Sequence, residues 1–198
     1  MIKELVLATR NRDKGRELAA LLKDLGIRIR TLAEFPHAPE VVEDGETCEA
    51  NAVKKAVAIA RYTKLPAAAD DTGLMVEALG GRPGVHAARY AGKKATYEDN
   101  CRKLLRELAG VPRERRSARF ITVAALARPG DERVTVVEGA LDGVIAETPA
   151  GTQGFGYDPV FFVPELGKTL AQLTPEEKNR ISHRARAFGK LKELLKTE

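Results

Sequence analysis

The hydrophobic and polar positions follow two different periods along the first third of the chain. Short apolar runs typical of buried strands occur at Glu4–Thr9 and Ile27–Thr31. Leucines recur at helical spacing between these runs, at positions Leu18, Leu21, Leu22 and Leu25. An alanine-rich stretch with an apolar face predicts a longer helix from about Cys48 to Tyr62. Strands alternating with amphipathic helices predict an α/β fold, in which ligands bind where a strand ends.

The second half of the chain adds two long β-rich runs. Ser117–Arg128 and Arg133–Leu141 are joined through Pro129-Gly130-Asp131, which predicts a hairpin. Neither run carries a catalytic constellation, so both are interpreted as sheet scaffold. Basic residues near the first run are predicted to form a solvated edge: Arg113, Arg115, Arg116 and Arg119. The chain shows no internal repeat, and residues 1–198 are predicted to form one domain.

Composition narrows the class of protein. The chain has 198 residues, of which 43% are hydrophobic and 31% charged, which is typical of an enzyme or binding domain with a full core. Its net charge of +5 is too small for a protein that coats nucleic acid. Cys48 and Cys101 match no metal or disulfide spacing. Without a predicted signal peptide or membrane span, we expect a cytoplasmic protein that binds neither membrane nor nucleic acid.

The polar segment after the first apolar run is a candidate phosphate-binding loop. Thr9 and Asn11 offer hydrogen bonds, Lys14 offers a positive charge, and the helix that follows Gly15 begins with free N–H groups. The segment lacks the glycines of a Walker loop or a dinucleotide fingerprint. A capped, solvated loop without a ligand remains an alternative interpretation.

Paired carboxylates follow the apolar run Pro66–Ala69. Aspartate is depleted in strands, so Asp70 and Asp71 indicate a functional site at the end of a buried strand. Successive side chains of a strand point to opposite faces, so these carboxylates are predicted to have different roles. The carboxylate in the site could hold Mg²⁺ or take a proton from water. The alternative is an Asx turn.

The stretch from Gly154 to Arg184 combines an aromatic platform with cations. Glycines on either side of Phe155 allow a flat ligand to approach its ring. Thr174-Pro175-Glu176-Glu177 predicts a capped helix that carries Lys178 in its first turns. Ser182 is predicted to cap the last helix, which places His183 and Arg184 where anions bind. A nucleotide fits this combination; a strand followed by a solvated basic helix is the alternative.

Taken together, these segments resemble one family, the house-cleaning nucleoside triphosphate pyrophosphatases of the inosine triphosphatase-like, or Ham1-like, type. The matching segments lie in the family's order from the first strand to the last helix, and the ordered set is specific. They are Ala8-Thr9-Arg10-Asn11 with Lys14, Ala69-Asp70-Asp71-Thr72-Gly73-Leu74, Gly80-Gly81-Arg82-Pro83-Gly84-Val85, Ala88-Arg89-Tyr90-Ala91-Gly92, Gly154-Phe155-Gly156-Tyr157-Asp158-Pro159-Val160-Phe161 and Glu177-Lys178-Asn179-Arg180-Ile181-Ser182-His183-Arg184.

The resemblance implies a Mg²⁺-dependent enzyme that hydrolyses ITP, dITP, XTP or dXTP to the monophosphate and pyrophosphate. It implies that Asp71 activates water and that Asp71 and Glu49 hold the metal. It assigns phosphate binding to Thr9, Arg10, Asn11, Arg12, Asp13 and Lys14. It assigns further substrate contacts to Thr72, Phe155, Gly156, Tyr157, Asp158, Lys178, His183 and Arg184. The implied fold is an elongated mixed β-sheet flanked by helices, with two lobes, a central substrate cleft and a homodimer.

Two positions depart from the family pattern. Arg10 stands where glycine is common, so it adds bulk and charge beside the phosphates. Thr72 stands where serine is common and keeps the hydroxyl. Two other functions are weighed against the enzyme: a purine-nucleotide sensor without turnover, and a basic RNA-binding domain. A sensor would be expected to lack a carboxylate at the metal site, and an RNA-binding domain to interleave aromatics with clustered cations.

Overall fold

The structure, a computed structural model, describes residues 2–196. Its strands are β1 (Glu4–Leu7), β2 (Arg28–Thr31), β3 (Ala67–Val76), β4 (Pro83–Gly84), β5 (Ser117–Ala127), β6 (Val134–Ile145), β7 (Phe161–Val163) and β8 (Lys168–Thr169). Its α-helices are α1 (Arg12–Leu22), α2 (Cys48–Thr63), α3 (Tyr97–Glu107), α4 (Pro175–Ile181) and α5 (His183–Lys196). Helix α2 and the β5–β6 hairpin confirm the sequence predictions closely.

The strands within residues 2–196 form one eight-stranded mixed sheet. Their order is β2-β1-β3-β5-β6-β7-β8, and β4 pairs with β3. Strand β1 runs parallel to β2 and to β3, with Leu7 opposite Thr31 and Ala68. Antiparallel pairing joins β3 to β4, β6 to β7 and β7 to β8. A mixed sheet flanked by helices was predicted, and it is confirmed.

The chain divides into two compact units. Among residues 2–196, the first unit contains 2–71, 122–139 and 183–196, and the second unit contains 72–121 and 140–182. The division therefore falls inside β3, between Asp71 and Thr72, and again between α4 and α5. Residues that are neighbours in sequence thus belong to different units.

The first unit is built around the leucine stripe of α1. Leu18 and Leu22 are fully buried with Leu5 and Leu7 of β1 and with Phe188 of α5. Removing such a leucine side chain by substitution with alanine typically costs about 2–5 kcal/mol. This packing fixes the N-terminal end of α1 relative to the end of β1, and that turn carries the polar residues from Thr9 to Lys14.

Helix α1 begins earlier than the leucine pattern suggests. Asn11 is the N-cap, and its side chain accepts hydrogen bonds from the N–H groups of Asp13 and Lys14 at 2.9 and 3.2 Å. The first helical residue is therefore Arg12. The prediction of a loop through Gly15 is wrong, because the Asn11 cap extends the helix over Arg12–Lys14.

The second unit has its own core, in which Phe161, Leu104 and Leu108 are fully buried. Helix α3 begins with a capping box formed by Thr96 and Asp99, as its sequence indicates. The prediction that Arg116 lies on a solvated edge is wrong. Arg116 is 5% exposed, and its guanidinium donates to the carbonyl oxygens of residues 108, 111 and 146.

Helices α4 and α5 follow one another directly in the last part of the described residues. Thr174 and Glu177 form the predicted capping box of α4. Ser182 adopts an extended conformation, with φ −63° and ψ 153°, and α5 begins at the next residue, His183. None of the helices within residues 2–196 has both the length and the apolar character needed to cross a bilayer.

Candidate active site

The paired carboxylates lie in the interior of β3. Asp70 and Asp71 were expected at the end of a strand, but β3 continues through them to Val76. That detail of the prediction is wrong: Leu74 and Met75 pair with β4, so the ladder extends beyond the carboxylates. Both aspartates are buried, at 1% and 5% exposure. We call the residues around them the aspartate cluster: Asp70, Asp71, Lys14, Asn51, Lys55 and Arg184.

Asp70 is enclosed by cations. Its carboxylate lies 3.0 Å from Lys14 Nζ and 3.3 Å from Arg184 Nε, and its backbone carbonyl accepts from Lys55 Nζ at 2.6 Å. Burial by itself would raise the pKa of Asp70, but Lys14, Arg184 and Lys55 outweigh burial and hold the pKa well below its usual range. The lowered pKa keeps Asp70 ionised at neutral pH, and its oxygens bind the three cations of the aspartate cluster.

Arg184 is committed to this network. Its guanidinium is buried and also donates to Glu17 Oε2 at 2.6 Å. Burial opposes its charge, but Asp70 and Glu17 outweigh burial and raise the pKa of Arg184 further. A direct role of Arg184 in recognising a purine stays a prediction, and the observed contacts describe an anchor between β3, α1 and α5.

Asp71 has a different environment from its neighbour. Asn51 Nδ2 donates to Asp71 Oδ2 at 3.1 Å, and Lys55 Nζ lies 3.8 Å from Asp71 Oδ1. Burial raises the pKa of Asp71 despite the opposing charges of Lys55 and Lys14, and the Glu43 carboxylate adds to the rise. A carboxylate with a raised pKa accepts a proton more readily than an exposed aspartate does. The two aspartates therefore differ in their contacts, and the difference in their roles stays a prediction.

Sequence reasoning missed the α2 residues that contact Asp71. Asn51 and Lys55 are buried, and Lys55 Nζ also binds Glu43 Oε1 at 2.8 Å. Cys48, one turn before Asn51, is buried too, and burial together with Asp71 raises the pKa of its thiol to about 12. The signal was present: an amide and a lysine stand four residues apart on a helix face otherwise made of cysteine, alanine and isoleucine.

The predicted metal ligand Glu49 lies on the other side of the same helix turn. Glu49 is exposed in the first turn of α2, where Asn51 faces inward. Lys55 Nζ contacts the carboxylates of both Glu43 and Asp71, so Glu43 lies at the edge of the aspartate cluster. Within residues 2–196, no three His, Cys, Asp or Glu side chains form a group that could hold a metal. Asp71 with Glu43 nevertheless supplies the hard oxygen donors that Mg²⁺ prefers.

The remaining residues of the predicted phosphate loop serve different local roles. Thr9 Oγ1 accepts from the Asn11 N–H at 3.2 Å, which supports the turn into α1. Arg10 is exposed and donates to the Ala38 carbonyl at 2.6 Å. Arg12 is exposed, and Asp13 pairs with an arginine one turn later, at 2.5 Å. Lys14 is the loop residue that the structure joins to the aspartate cluster.

The second unit contains a separate polar group beside an aromatic ring, the Phe155 group of Phe155, Asp158 and Lys178. Asp158 Oδ2 accepts from the Phe155 N–H at 2.8 Å and pairs with the buried Lys178 ammonium. The same ammonium lies 4.9 Å from the centroid of the Phe155 ring. Asp158 therefore fixes both the ring and the cation, so two of the predicted substrate contacts lie side by side.

The other predicted substrate contacts have structural partners. The Tyr157 hydroxyl donates to the Ala87 carbonyl at 2.8 Å, and the Gly156 carbonyl accepts from the Cys101 thiol at 3.3 Å. Thr72 is half-buried in β3, and His183 is 3% exposed as the first residue of α5. Their roles toward a substrate stay predictions, as does the expected cleft.

Comparison with known proteins agrees with this arrangement of motifs. The model of the Ham1 family matches residues 5–194. The chain belongs to the Ham1 family. The match spans both units, so it includes the aspartate cluster and the Phe155 group.

Two curated relatives are similar to this chain over nearly their full length. A protein of Geobacillus kaustophilus named dITP/XTP pyrophosphatase is 57% identical over 192 residues, which cover 97% of this chain and 94% of that protein. One of Geobacter sulfurreducens with the same name is 54% identical and covers 96% of each. The solved structure of a HAM1 protein from Coxiella burnetii has a TM-score of 0.89 at 43% identity and covers 100% of both chains.

Proposed function

We propose that this protein hydrolyses deaminated purine nucleoside triphosphates (ITP, dITP, XTP and dXTP) to the nucleoside monophosphate and pyrophosphate. The observation that carries the proposal is Asp71, a buried carboxylate with a raised pKa beside Lys55 and Asn51. The Ham1 relatives named dITP/XTP pyrophosphatase support the same reaction. In this proposal the activity cleanses the nucleotide pool before a polymerase uses the damaged precursors.

Asp71 acts as the general base. A water molecule attacks the α-phosphorus, the bond from that phosphorus to the bridging oxygen breaks, and pyrophosphate leaves with the bonding electrons. Asp71 receives the proton of the attacking water. Its pKa is raised by burial, so it binds a proton more readily than an exposed aspartate does.

Lys14 and Lys55 supply positive charge for the phosphates. Both ammonium groups lie at the aspartate cluster, and Lys14 retains 16% side-chain exposure while it pairs with Asp70. Fixed cations stabilise the negative charge that develops on a leaving pyrophosphate more effectively than mobile water does. Asp70 keeps these cations in place, because its carboxylate and carbonyl oxygens bind both of them.

We propose that a divalent metal, Mg²⁺, completes the site. Asp71 would hold it together with Glu49 or Glu43, and the position of Glu43 beside Lys55 favours Glu43. When bound, Mg²⁺ neutralises phosphate charge and polarises the phosphoryl oxygens. Mg²⁺ usually takes one or two protein carboxylates together with substrate phosphates and water, so a larger set of protein ligands is not required.

The Phe155 group is proposed to recognise the base. Phe155 offers a ring for stacking, and the Lys178 ammonium can donate to the 6-oxo group of hypoxanthine or xanthine. Adenine presents an amino group at that edge, and an unpaired buried donor costs about 1–3 kcal/mol. Thr72, Gly156, Tyr157 and His183 are proposed to complete substrate binding.

The test is pyrophosphate release from four substrates with Mg²⁺. We expect ITP and XTP to react faster than either ATP or GTP, and the rate with ATP to be about 100-fold lower because adenine lacks the 6-oxo acceptor. Equal rates on all four would remove the specificity claim, and binding without turnover would favour a nucleotide sensor. A homodimer in the cytoplasm that binds no nucleic acid is proposed as well, and its assembly can be measured by sedimentation.

A further inference from the structure

Asn51 lies between the general base and an acidic loop. Its Oδ1 accepts from the Gly45 N–H at 2.8 Å, and its Nδ2 donates to Asp71 Oδ2 at 3.1 Å. Asn51 is 1% exposed, so water competes little with either bond. A buried amide that uses both ends in this way is fixed in orientation, since rotation by 180° would place like groups against each other.

The loop contact is tight. A Cβ atom at Gly45 would lie 2.7 Å from Asn51 Oδ1 and 2.9 Å from the Ala50 Cβ atom. Only glycine allows the loop to approach α2 this closely. Two residues earlier, Glu43 reaches Lys55 at 2.8 Å, so the loop position also sets where the Glu43 carboxylate lies.

We propose that Asn51 is a positioning residue that couples the Glu43–Gly45 loop to Asp71. Its Nδ2 binds Oδ2 of Asp71 and so fixes the rotation of the carboxylate, directing Oδ1 toward the side of Lys55. Its Oδ1 holds the loop so that Glu43 stays against the same lysine. This inference rests on the proposed function, since it describes how the base of that reaction is aligned.

Helix α3 contains a matched control. Asn100 is the fourth residue of α3, as Asn51 is the fourth residue of α2. It is 2% exposed and also ties a loop to its helix: Oδ1 accepts from the Ala91 N–H at 2.7 Å, and Nδ2 donates to the Ala88 carbonyl at 3.1 Å. Its amide therefore has the same structural task without a contact to a catalytic carboxylate.

The experiment compares Asn51→Leu with Asn100→Leu, since leucine has a similar volume and forms no hydrogen bonds. Both variants should lose stability. At a temperature where both are folded, Asn51→Leu should lower kcat for dITP about 100-fold and leave KM within about 3-fold, because a misaligned base affects the transition state more than binding. Asn100→Leu should keep kcat within about 3-fold. Equal kcat losses in both variants, or none in Asn51→Leu, would overturn the proposal.

Two further measurements keep the proposal testable if the proposed function is wrong or if Asn51→Leu does not fold. Exchange of the Gly45 amide hydrogen should become at least about 10-fold faster in Asn51→Leu and stay unchanged in Asn100→Leu. This readout needs no turnover, so it separates a wrong positioning role from a wrong proposed function. If Asn51→Leu does not fold, Gly45→Ala decides: we expect kcat about 10-fold lower with KM unchanged, and an unchanged kcat would refute the coupling.

Discussion

The aspartate cluster of the first unit contains several buried charged groups, whereas the Phe155 group of the second unit contains a single buried ion pair. In the aspartate cluster, Lys14, Lys55 and Arg184 contact neighbouring carboxylates that differ in pKa. In the Phe155 group, one carboxylate holds one ammonium beside a ring. Three cations held at one place suit a polyphosphate, although Glu43 and Glu17 also pair with Lys55 and Arg184. A single fixed donor beside an aromatic face suits a planar heterocycle. The two sites therefore differ more in the number of charged groups they contain than in how deeply those groups are buried.

The largest effect is expected at the proposed base. Asp71→Asn removes the proton acceptor and keeps the shape, so kcat for dITP should fall about 10³-fold or more. Pyrophosphate release under saturating substrate measures this. The variant should unfold at no lower temperature than the wild type in metal-free buffer, since burial disfavours the charge of Asp71. Full activity in this variant would mean that another group takes the proton.

The second effect concerns stability rather than rate. Asp70→Asn leaves Lys14 and Arg184 without their shared anion, and breaking a buried ion pair in this way costs about 3–5 kcal/mol. Urea unfolding measures the loss. Asp71→Asn is the matched control at the next position, and it should cost far less. Equal stability losses would contradict the separation of structural and catalytic roles within β3.

The third effect sharpens the role of the Phe155 group. A double variant, Asp158→Asn with Lys178→Met, removes the buried pair without leaving a lone charge, and asparagine can still accept from the Phe155 N–H. The preference for ITP over ATP should fall about 10–100-fold while the enzyme stays folded, because a donor to the 6-oxo group is lost. An unchanged preference, measured as the ratio of kcat/KM values, would assign discrimination to other residues.

The smallest effect is a difference in pH dependence between the aspartates. The folded-state pKa of Asp70 is lowered, so its stabilisation is present above its unfolded pKa and is lost as the pH falls through the lower folded value. The stability gap between the wild type and Asp70→Asn should therefore shrink below about pH 4. The contribution of Asp71 to stability has the opposite sign. Its raised pKa means that the ionised form destabilises the folded state at neutral pH, and protonation relieves this. Unfolding curves of the wild type and both variants, measured from pH 7 to pH 3, test these signs. Stability differences that do not change with pH would contradict them.

Much of the local structure could be predicted from sequence because its causes are local. The capping box at Thr174 confirms its prediction, since a side chain and an N–H three residues apart need no tertiary partner. The start of α1 was predicted too late, although its cause is also local. Asn11 was interpreted as a hydrogen-bond donor to a ligand, whereas its side chain caps the helix. A residue that can serve two local purposes is ambiguous in sequence.

By itself, the sequence determined the family, the order of the elements and the identity of the paired aspartates. Only the tertiary structure decided which partners those aspartates have. Lys55 and Asn51 lie 15 and 20 residues from their hydrogen-bond acceptors, Asp70 O and Asp71 Oδ2, and Arg184 lies 114 residues from Asp70. Such contacts depend on how α2 and α5 pack on β3, and no local period encodes that packing. The pKa values of adjacent carboxylates diverge for this reason, because a pKa responds to charges near in space rather than along the chain.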